Sequence, residues 1–163
     1  NGSGSHLGME LFNTMAGVRI TRIPYNGDGP AIIDLLGGQV PVKLDNMSTS
    51  LAHVRAGKLR ALGVTCPVRT PLLPEVPAIS ETLPGYSADT WYGVFAPRGT
   101  PQEVIAKIHG VIATALRTAE VREKLLAQGA DPAGNTPVEF AAFLKAEIAK
   151  WGRVVRDSGT KPD

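Results

Sequence analysis

Residues 25–46 read YNGDGPAIIDLLGGQVPVKLDN, and the fold expected for the rest of the chain depends on this stretch. It opens with the turn 26–29, whose small and Asx residues suit backbone positions with positive φ. Pro30 suits the first position of a helix, where its missing N–H costs nothing. The expected N-cap of a short helix is therefore Asp28 or Gly29.

The helix in this stretch should lead into a buried strand. Its apolar face consists of Ile32, Ile33, Leu35 and Leu36. Gly37 and Gly38 should end it through a left-handed residue. The segment that follows alternates apolar residues at Val40, Val42 and Leu44. This strand would deliver Asp45 and Asn46 to its carboxyl end, where open α/β sheets bind ligands beside helix N-termini that favour anions.

A second small-residue loop opens the chain. Residues 1–6 read NGSGSH and precede a helix whose apolar positions fit a period of 3.6, namely Leu7, Leu11, Phe12 and Met15. Two loops of this kind that lead into helices predict a shared edge that faces an anion. The alternative is that residues 27–29 are only a helix-capping turn.

Composition limits the classes of protein to consider. The 163 residues suffice for one domain or two small lobes, and 43% hydrophobic with 20% charged residues is typical of a globular protein. Lys and Arg number 17 against 15 Asp and Glu and are scattered, so no nucleic-acid partner is expected. Cys66, the one cysteine, cannot form an internal disulfide and is interpreted as a small buried hydrophobe.

The order of predicted elements favours an α/β fold with a parallel sheet. Helices are predicted at about 5–16, 30–36, 47–56, 101–118, 120–128 and 137–157. Strands are predicted at 18–23, 40–44, 61–65 and 89–96, with a doubtful one at 130–133. Thr100 with Glu103 and Thr136 with Glu139 are predicted capping boxes. The proline-rich segment 67–84 is predicted to connect two lobes, and the helices after it lack a sheet to pack on.

Catalytic and metal-binding patterns are sparse. His6, His53 and His109 have no metal-ligand spacing, so no metal site is expected, and no motif calls for a cofactor. An acid/base pair of His6 and Asp45 is the only arrangement that would support an enzyme. For Asp45, the favoured interpretation is a cap for the helix that starts at Met47. For His6, ligand contact and helix packing remain equal alternatives.

Several motifs together closely resemble the substrate-binding proteins of tripartite tricarboxylate transporters, the Bug family. They are IPYNG at 23–27, PA at 30–31, DLLGGQV at 34–40, DN at 45–46, RAGKLRAL at 55–62, LPEVP at 73–77, AP at 96–97 and GTP at 99–101. The resemblance implies a periplasmic binding protein of the type II fold, with two α/β lobes joined by crossing strands. Such proteins close on small carboxylates, held by loop amides and ordered water, and deliver them to a membrane permease.

The resemblance also implies which residues contact the solute. These are Ser3, Gly4, Ser5, His6, Tyr25, Asn26, Gly27, Asp45 and Asn46. Three positions depart from the family pattern. Asn26 stands where many members have Lys, Lys43 lies in a strand that is usually apolar, and Cys66 replaces a small hydroxyl residue. These departures concern the identity of the solute rather than the fold.

Family members are nearly twice as long, which implies that this chain is the C-terminal part of such a protein. In that interpretation residues 1–66 are the second lobe without its leading strand. Residues 67–93 are the connector and a crossing strand, and residues 94–163 are the returning helices of the first lobe. We therefore expect the isolated chain to bind its solute weakly, with the front half or another chain as a possible complementing partner.

Two other functions remain open at this point. The same lobes recur as effector-sensing domains of regulatory systems, which would place a signalling or DNA-binding domain beside this one. The second is a small α/β enzyme that uses His6 and Asp45. The leading hypothesis is a binding protein for a small anionic solute that catalyses no reaction.

Overall fold

A computed structural model describes residues 2–160, which form six α-helices and one short 3-10 helix. The α-helices are α1 (Gly4–Ala16), α2 (Asp28–Leu36), α3 (Met47–Arg55), α4 (Gln102–Arg117), α5 (Ala119–Ala127) and α6 (Pro137–Ser158). The 3-10 helix is Ile79–Glu81. None of the helices within 2–160 is both long enough and apolar enough to cross a membrane.

The predicted end of α2 at its two glycines is confirmed, but the start of α2 is not where Pro30 indicated. Gly17 ends α1 with φ 66°, and Gly38 follows α2 with φ 71°. Helix α2 begins at Asp28, so Gly27 is its N-cap and neither Asp28 nor Gly29 caps it. Gly27 has φ 101° and ψ 176°, a conformation open essentially to glycine alone, which lets the helix start two residues before the proline.

One of the two predicted capping boxes is confirmed. Thr136 N donates to Glu139 Oε2 at 2.8 Å, and Glu139 N donates to Thr136 Oγ1 at 3.3 Å. The box at Thr100 is wrong, because the Thr100 hydroxyl donates to the Pro97 carbonyl at 2.8 Å. Helix α4 starts after Pro101, which occupies the N-cap position itself.

The predicted strands are wrong as regular elements. Within 2–160 the segments 18–23, 40–44, 61–65, 89–96 and 130–133 form no β-ladder. The pairing recorded there is one isolated parallel bridge between Val64 and Ala78. A strand is stabilised by hydrogen bonds to a neighbouring strand, so an apolar, alternating segment without such a neighbour stays irregular.

The described residues divide into two compact units. The first comprises residues 2–90 with 151–160, and the second comprises residues 91–150. The core of the first unit surrounds the bridge and consists of Leu51, Val64, Leu73, Val76 and Ala78. Three of these five residues come from the proline-rich segment, which therefore contributes to the core of this unit.

Helix α1 is fixed within the first unit by Tyr86. The Tyr86 side chain is 1% exposed, and its hydroxyl donates to the Gly8 carbonyl at 3.1 Å. Its ring meets Phe12 edge to face, with ring centroids 6.0 Å apart. A Cβ on Gly8 would lie only 3.1 Å from the Ala88 Cβ, so the helix approaches residues 86–88 closely. These contacts place the N-terminus of α1.

Aromatic rings form the centre of the second unit. Trp91 meets Phe140 and Phe143 edge to face at 5.7 and 5.3 Å, and its indole N–H donates to Glu147 Oε2 at 3.3 Å. Glu147 is buried and also forms an ion pair with Lys150. Helix α6 is amphipathic, but its Ile148 is 65% exposed. Its amphipathic pattern identified the helix but not which apolar residues are covered.

Candidate functional site

The N-terminus of α1 is capped as the opening loop predicted. Ser3 Oγ accepts from the amide of His6 at 3.3 Å, and Gly2 N donates to His6 Nδ1 at 3.1 Å. The amides of Gly4 and Ser5, in the first turn, donate to no acceptor among residues 2–160. Asn1, which belongs to the predicted loop, lies outside the described residues.

The N-terminus of α2 carries no side-chain cap, because Gly27 has no side chain to provide one. Tyr25 lies just before it and donates its hydroxyl to Asp34 Oδ2 at 2.7 Å. This hydrogen bond, with smaller effects of burial and of the Asp34 charge, raises the pKa of Tyr25 above its ordinary value of 10.0. Tyr25 therefore ties the loop to α2, while Asn26 is exposed.

Asn46 joins the first turns of α2 and α3. It is the N-cap residue of α3, but its side chain does not bond the helix. Instead, Asn46 Nδ2 donates to Asp28 Oδ2 at 3.2 Å, and Asn46 Oδ1 accepts from Thr90 Oγ1 at 2.9 Å. Because Asp28 is the first residue of α2, the starts of the two helices lie side by side.

Thr90 also lies beside the N-terminus of α1, which is therefore close to the starts of α2 and α3. Its hydroxyl oxygen lies 3.8 Å from the position that a Cβ on Gly4 would occupy. The two loops identified in the sequence, together with the start of α3, therefore lie on one side of the first unit. Each N-terminus has free amides and a partial positive charge.

Lys43 lies at the centre of this arrangement. Its ammonium group donates to Asp28 Oδ1 at 3.0 Å and to Asp45 Oδ1 at 2.5 Å. The Lys43 side chain is 12% exposed and that of Asp45 is 6% exposed. The favoured interpretation of Asp45 as a cap for α3 is wrong, because its recorded bond goes to Lys43. We call Asp28, Lys43, Asp45, Asn46 and Thr90 the polar cluster.

The acid/base pair of His6 and Asp45 is not supported by their contacts. His6 Nε2 lies 3.6 Å from Glu10 Oε1, one turn along α1, and the Asp45 carboxylate bonds Lys43. No hydrogen bond recorded among residues 2–160 joins the two side chains. That range also contains no group of three or more His, Cys, Asp or Glu side chains placed to hold a metal ion.

Some members of the site were missed in the sequence. The sequence marks Asp28 only as a possible cap and Lys43 only as a departure from a family pattern, and it does not mark Thr90. A signal existed for Lys43, because it and Asp45 are two residues apart in an extended segment, which places them on the same side. Thr90 gave no local signal, since it reaches Asn46 across 44 residues of sequence.

Comparisons with known proteins point to the same family over nearly the whole chain. The profile of a family described as the tripartite tricarboxylate transporter family receptor matches residues 1–160. Protein BugT of Bordetella pertussis is 42% identical over 161 residues, which cover 98% of this chain and 49% of BugT. The chain thus spans about half the length of the first curated relatives it matches.

Solved structures give the same result. The structure of R. palustris Rpa4515 with adipate is 40% identical, with a TM-score of 0.84 over 99% of this chain and 55% of that one. A structure described as a periplasmic transporter is 37% identical, with a TM-score of 0.79 over 98% of this chain and 53% of that one. The expected fold class, the α/β type II fold of periplasmic binding proteins, is confirmed over the part that the chain spans.

Proposed function

This chain belongs to the family of tripartite tricarboxylate transporter receptors, and from that premise we propose that it is part of a periplasmic solute-binding protein. The protein captures a small carboxylate outside the cytoplasm and delivers it to the permease subunits of a membrane transporter. Adipate bound to the similar Rpa4515 and the periplasmic description of a second similar structure support this proposal.

The observation that carries the proposal is the meeting of three helix N-termini. Within residues 2–160, the first two backbone amides of each of these helices donate no hydrogen bond. They are the amides of Gly4, Ser5, Asp28, Gly29, Met47 and Ser48. Aligned helix dipoles give each N-terminus about half a positive charge, and free amides point along the axis. Together they suit a carboxylate, which accepts several N–H bonds at once.

The residues expected from the family resemblance take distinct parts in this proposal. The loop 3–6 and Gly27 present the amides of α1 and α2 to the solute. Tyr25 holds its loop against α2 through Asp34, which keeps the amides in place. Asp45 and Asn46 fix the geometry between α2 and α3. Asn26, which is exposed, contacts the solute with its amide side chain.

The lobe assignment belongs to the same proposal. Residues 1–66 are the second lobe, 67–93 are the connector with a crossing segment, and 94–163 return to the first lobe. The proposal includes no catalysis, because proteins of this family are receptors and the side chains of His6 and Asp45 bond other partners.

A titration observed by amide NMR tests the proposal, because this method detects millimolar affinity. Adipate added to the labelled chain should shift the amides of Gly4, Ser5, Gly29 and Ser48, whereas hexanediol of the same length should not. Shifts with adipate confined to other regions, or no shifts at all, would overturn the proposal. Equal effects of adipate and hexanediol would also overturn it, because the carboxylates would then play no part.

A further inference from the structure

A cavity of about 270 Å³ lies within the second unit, where the end of α4, the start of α5 and the segment 132–134 meet. Its lining is apolar at Leu116, Pro132 and Ala133 and cationic at Arg117 and Arg122, and it includes no acidic residue. Cavities that take drug-sized ligands start at about 300 Å³, so this one suits a smaller group. It is separate from the proposed solute site, whose residues all belong to the first unit.

Thr118 fixes the bend that brings the two arginines to this cavity. It is both the C-cap of α4 and the N-cap of α5. Its hydroxyl donates to the Ala115 carbonyl at 2.7 Å and accepts from the Val121 amide at 3.4 Å, so it bonds both helices. Arg117 ends α4 and Arg122 lies at the end of the first turn of α5, so the bend places both beside the same space.

The chain that follows α5 closes another side of the cavity. The Ala130 amide donates to the Leu125 carbonyl at 2.9 Å, which turns the chain back at the end of α5. Gly134 then lies against α4, since a Cβ on it would meet Leu116 Cδ1 at 3.8 Å. The cavity is therefore bounded by two helices and a returning segment, and it is more than a pair of arginines on a flat surface.

The guanidinium groups of this cavity have unused hydrogen-bonding capacity. Within residues 2–160, Arg117 takes part in no hydrogen bond or ion pair. Arg122 Nη2 lies 3.7 Å from Asp131 Oδ1, which is longer than a hydrogen bond. Glu120, on the same helix as Arg122, is bonded to Lys124 instead. Two guanidinium groups against the single carboxylate of Asp131 give a net formal charge of +1.

Asp131 indicates which kind of ligand the cavity attracts. Its carboxylate approaches Arg122 without bonding it, and the two side chains are 60% and 53% exposed. An exposed ion pair of this kind is weak, so a ligand anion with better geometry can displace the carboxylate. A phosphate group carries about two negative charges near neutral pH and offers several acceptor oxygens, so it can bond both arginines, each through a two-bond fork. A single carboxylate compensates only one of the two cationic charges.

We propose that this cavity is a second binding site, which takes a small phosphate or phosphate ester held by Arg117 and Arg122, with the Asp131 carboxylate displaced. The apolar wall of Leu116 and Pro132 accommodates the carbon part of an ester. Because the cavity belongs to the unit without solute-site residues, this inference does not depend on the proposed solute-binding function.

Amide NMR titration of the unmodified chain with inorganic phosphate, at fixed ionic strength, tests the site. The amides of Arg117, Arg122 and Gly134 should shift and saturate. Acetate should bind at least about tenfold more weakly, because it forms fewer charged hydrogen bonds. The absence of saturable shifts at these amides, or equal affinity for acetate, overturns the inference. Shifts confined to the starts of α1, α2 and α3 also overturn it, because phosphate would then occupy the solute site.

Glycerol 1-phosphate distinguishes the two sources of the phosphate group. Tighter binding of this ester than of inorganic phosphate, with shifts at the same amides, supports the inference and assigns a phosphorylated small molecule to the site. Weaker or equal binding of the ester supports it with free phosphate as the ligand.

Substitutions assign the binding to individual side chains. Arg117→Gln and Arg122→Gln should each weaken phosphate binding about tenfold. Lys124→Gln removes a cation of α5 that does not line the cavity, so it should change binding less than about twofold. Asp131→Asn should tighten binding about threefold, because it removes the competing carboxylate.

Two results from these variants would overturn the site. One is an equal effect of the arginine substitutions and Lys124→Gln, which would indicate only a general attraction of anions to the unit. The other is weaker binding in Asp131→Asn. If an arginine substitution lowers the helix content measured by circular dichroism, the direction of the change in Asp131→Asn decides.

Discussion

The ammonium group of Lys43 lies 3.0 Å from Oδ1 of Asp28, although fifteen positions separate the two residues in sequence. The same group bonds Asp45, so one cation joins the first turn of α2 to the segment that leads into α3. Sequence alone marked Lys43 as foreign to an apolar strand. Its position between two carboxylates explains why a lysine is accommodated there.

Replacing Lys43 tests how much this cation contributes to stability. Lys43→Met should lower the free energy of unfolding by about 2–4 kcal/mol, somewhat less than for a fully buried pair, since Asp28 is partly exposed. The loss arises because the buried Asp45 side chain is left without its cationic partner. Urea unfolding at neutral pH measures it.

Lys124→Met is the matched control for that experiment. Lys124 pairs with Glu120 on the surface of α5, where the side chains are 71% and 77% exposed. We expect a loss below about 0.5 kcal/mol, because exposed pairs are weak. Similar losses in both variants would contradict the buried role of Lys43.

Two neighbouring glycines at the start of α2 should respond differently to alanine. Gly27 has φ 101°, so Gly27→Ala is strained there although its Cβ meets no atom within 4 Å, and a loss of about 1–3 kcal/mol is expected. Gly29 has an ordinary φ and the same open surroundings, so Gly29→Ala should be neutral or slightly stabilising. Urea unfolding of both variants checks this, and equal losses would show that the backbone conformation of Gly27 does not matter.

A second glycine pair tests the packing of the 91–150 unit. A Cβ on Gly93 would lie 2.3 Å from Cζ of Phe140, whose ring also packs against Trp91. Gly93→Ala should therefore cost about 1–3 kcal/mol through displacement of the ring. Gly110→Ala places its Cβ in open space on α4 and should gain about 0.5–1 kcal/mol from helix propensity. Tryptophan fluorescence during denaturation measures the stability of both variants. Stability changes of the same sign in the two variants would contradict this packing.

The ion pair of Arg69 and Glu81 should make stability depend on pH in the acid range. Hydrogen bonds from the Arg69 guanidinium, and then from the Ala78 amide, lower the pKa of Glu81 from 4.5 to about 2. A lowered carboxyl pKa adds stability above pH 4.5 that is lost as pH falls towards 2. An NMR titration of the Glu81 carboxyl should have a midpoint near 2. Arg69→Gln should move the midpoint upwards, and an unchanged midpoint would assign the shift to the Ala78 amide instead.

Local signals in the sequence predicted local structure well. Gly38 ends α2, and the box of Thr136 with Glu139 begins α6, because each depends on residues within a few positions. The capping box predicted at Thr100 did not form, also for a local reason, but one that the spacing of Thr and Glu does not reveal. Its hydroxyl had a competing acceptor in the Pro97 carbonyl.

Features that depend on distant residues were harder to predict. The apolar alternation of 40–44 resembles a strand, but alternation does not tell whether a neighbouring strand lies alongside. The two small-residue loops that lead into helices predicted a shared edge, and Gly4 and Asn46 do approach each other through Thr90. Asp45 bonds Lys43, and Lys43 also bonds Asp28. The path of the chain around α2 brings these residues together.

The bridge between Val64 and Ala78 bears on the order in which the first unit folds. Its hydrogen bonds, from Val64 N to the Pro77 carbonyl at 2.9 Å and from Ile79 N to the Val64 carbonyl at 3.0 Å, close a short loop. Closing this short loop costs less chain entropy than forming the contact between Gly8 and Tyr86, which lie 78 residues apart. Pulsed hydrogen exchange during refolding should accordingly protect the Val64 and Ile79 amides before those of α1. The middle of this unit then acts as the nucleus, and the packing of α1, on which the proposed solute site depends, forms later.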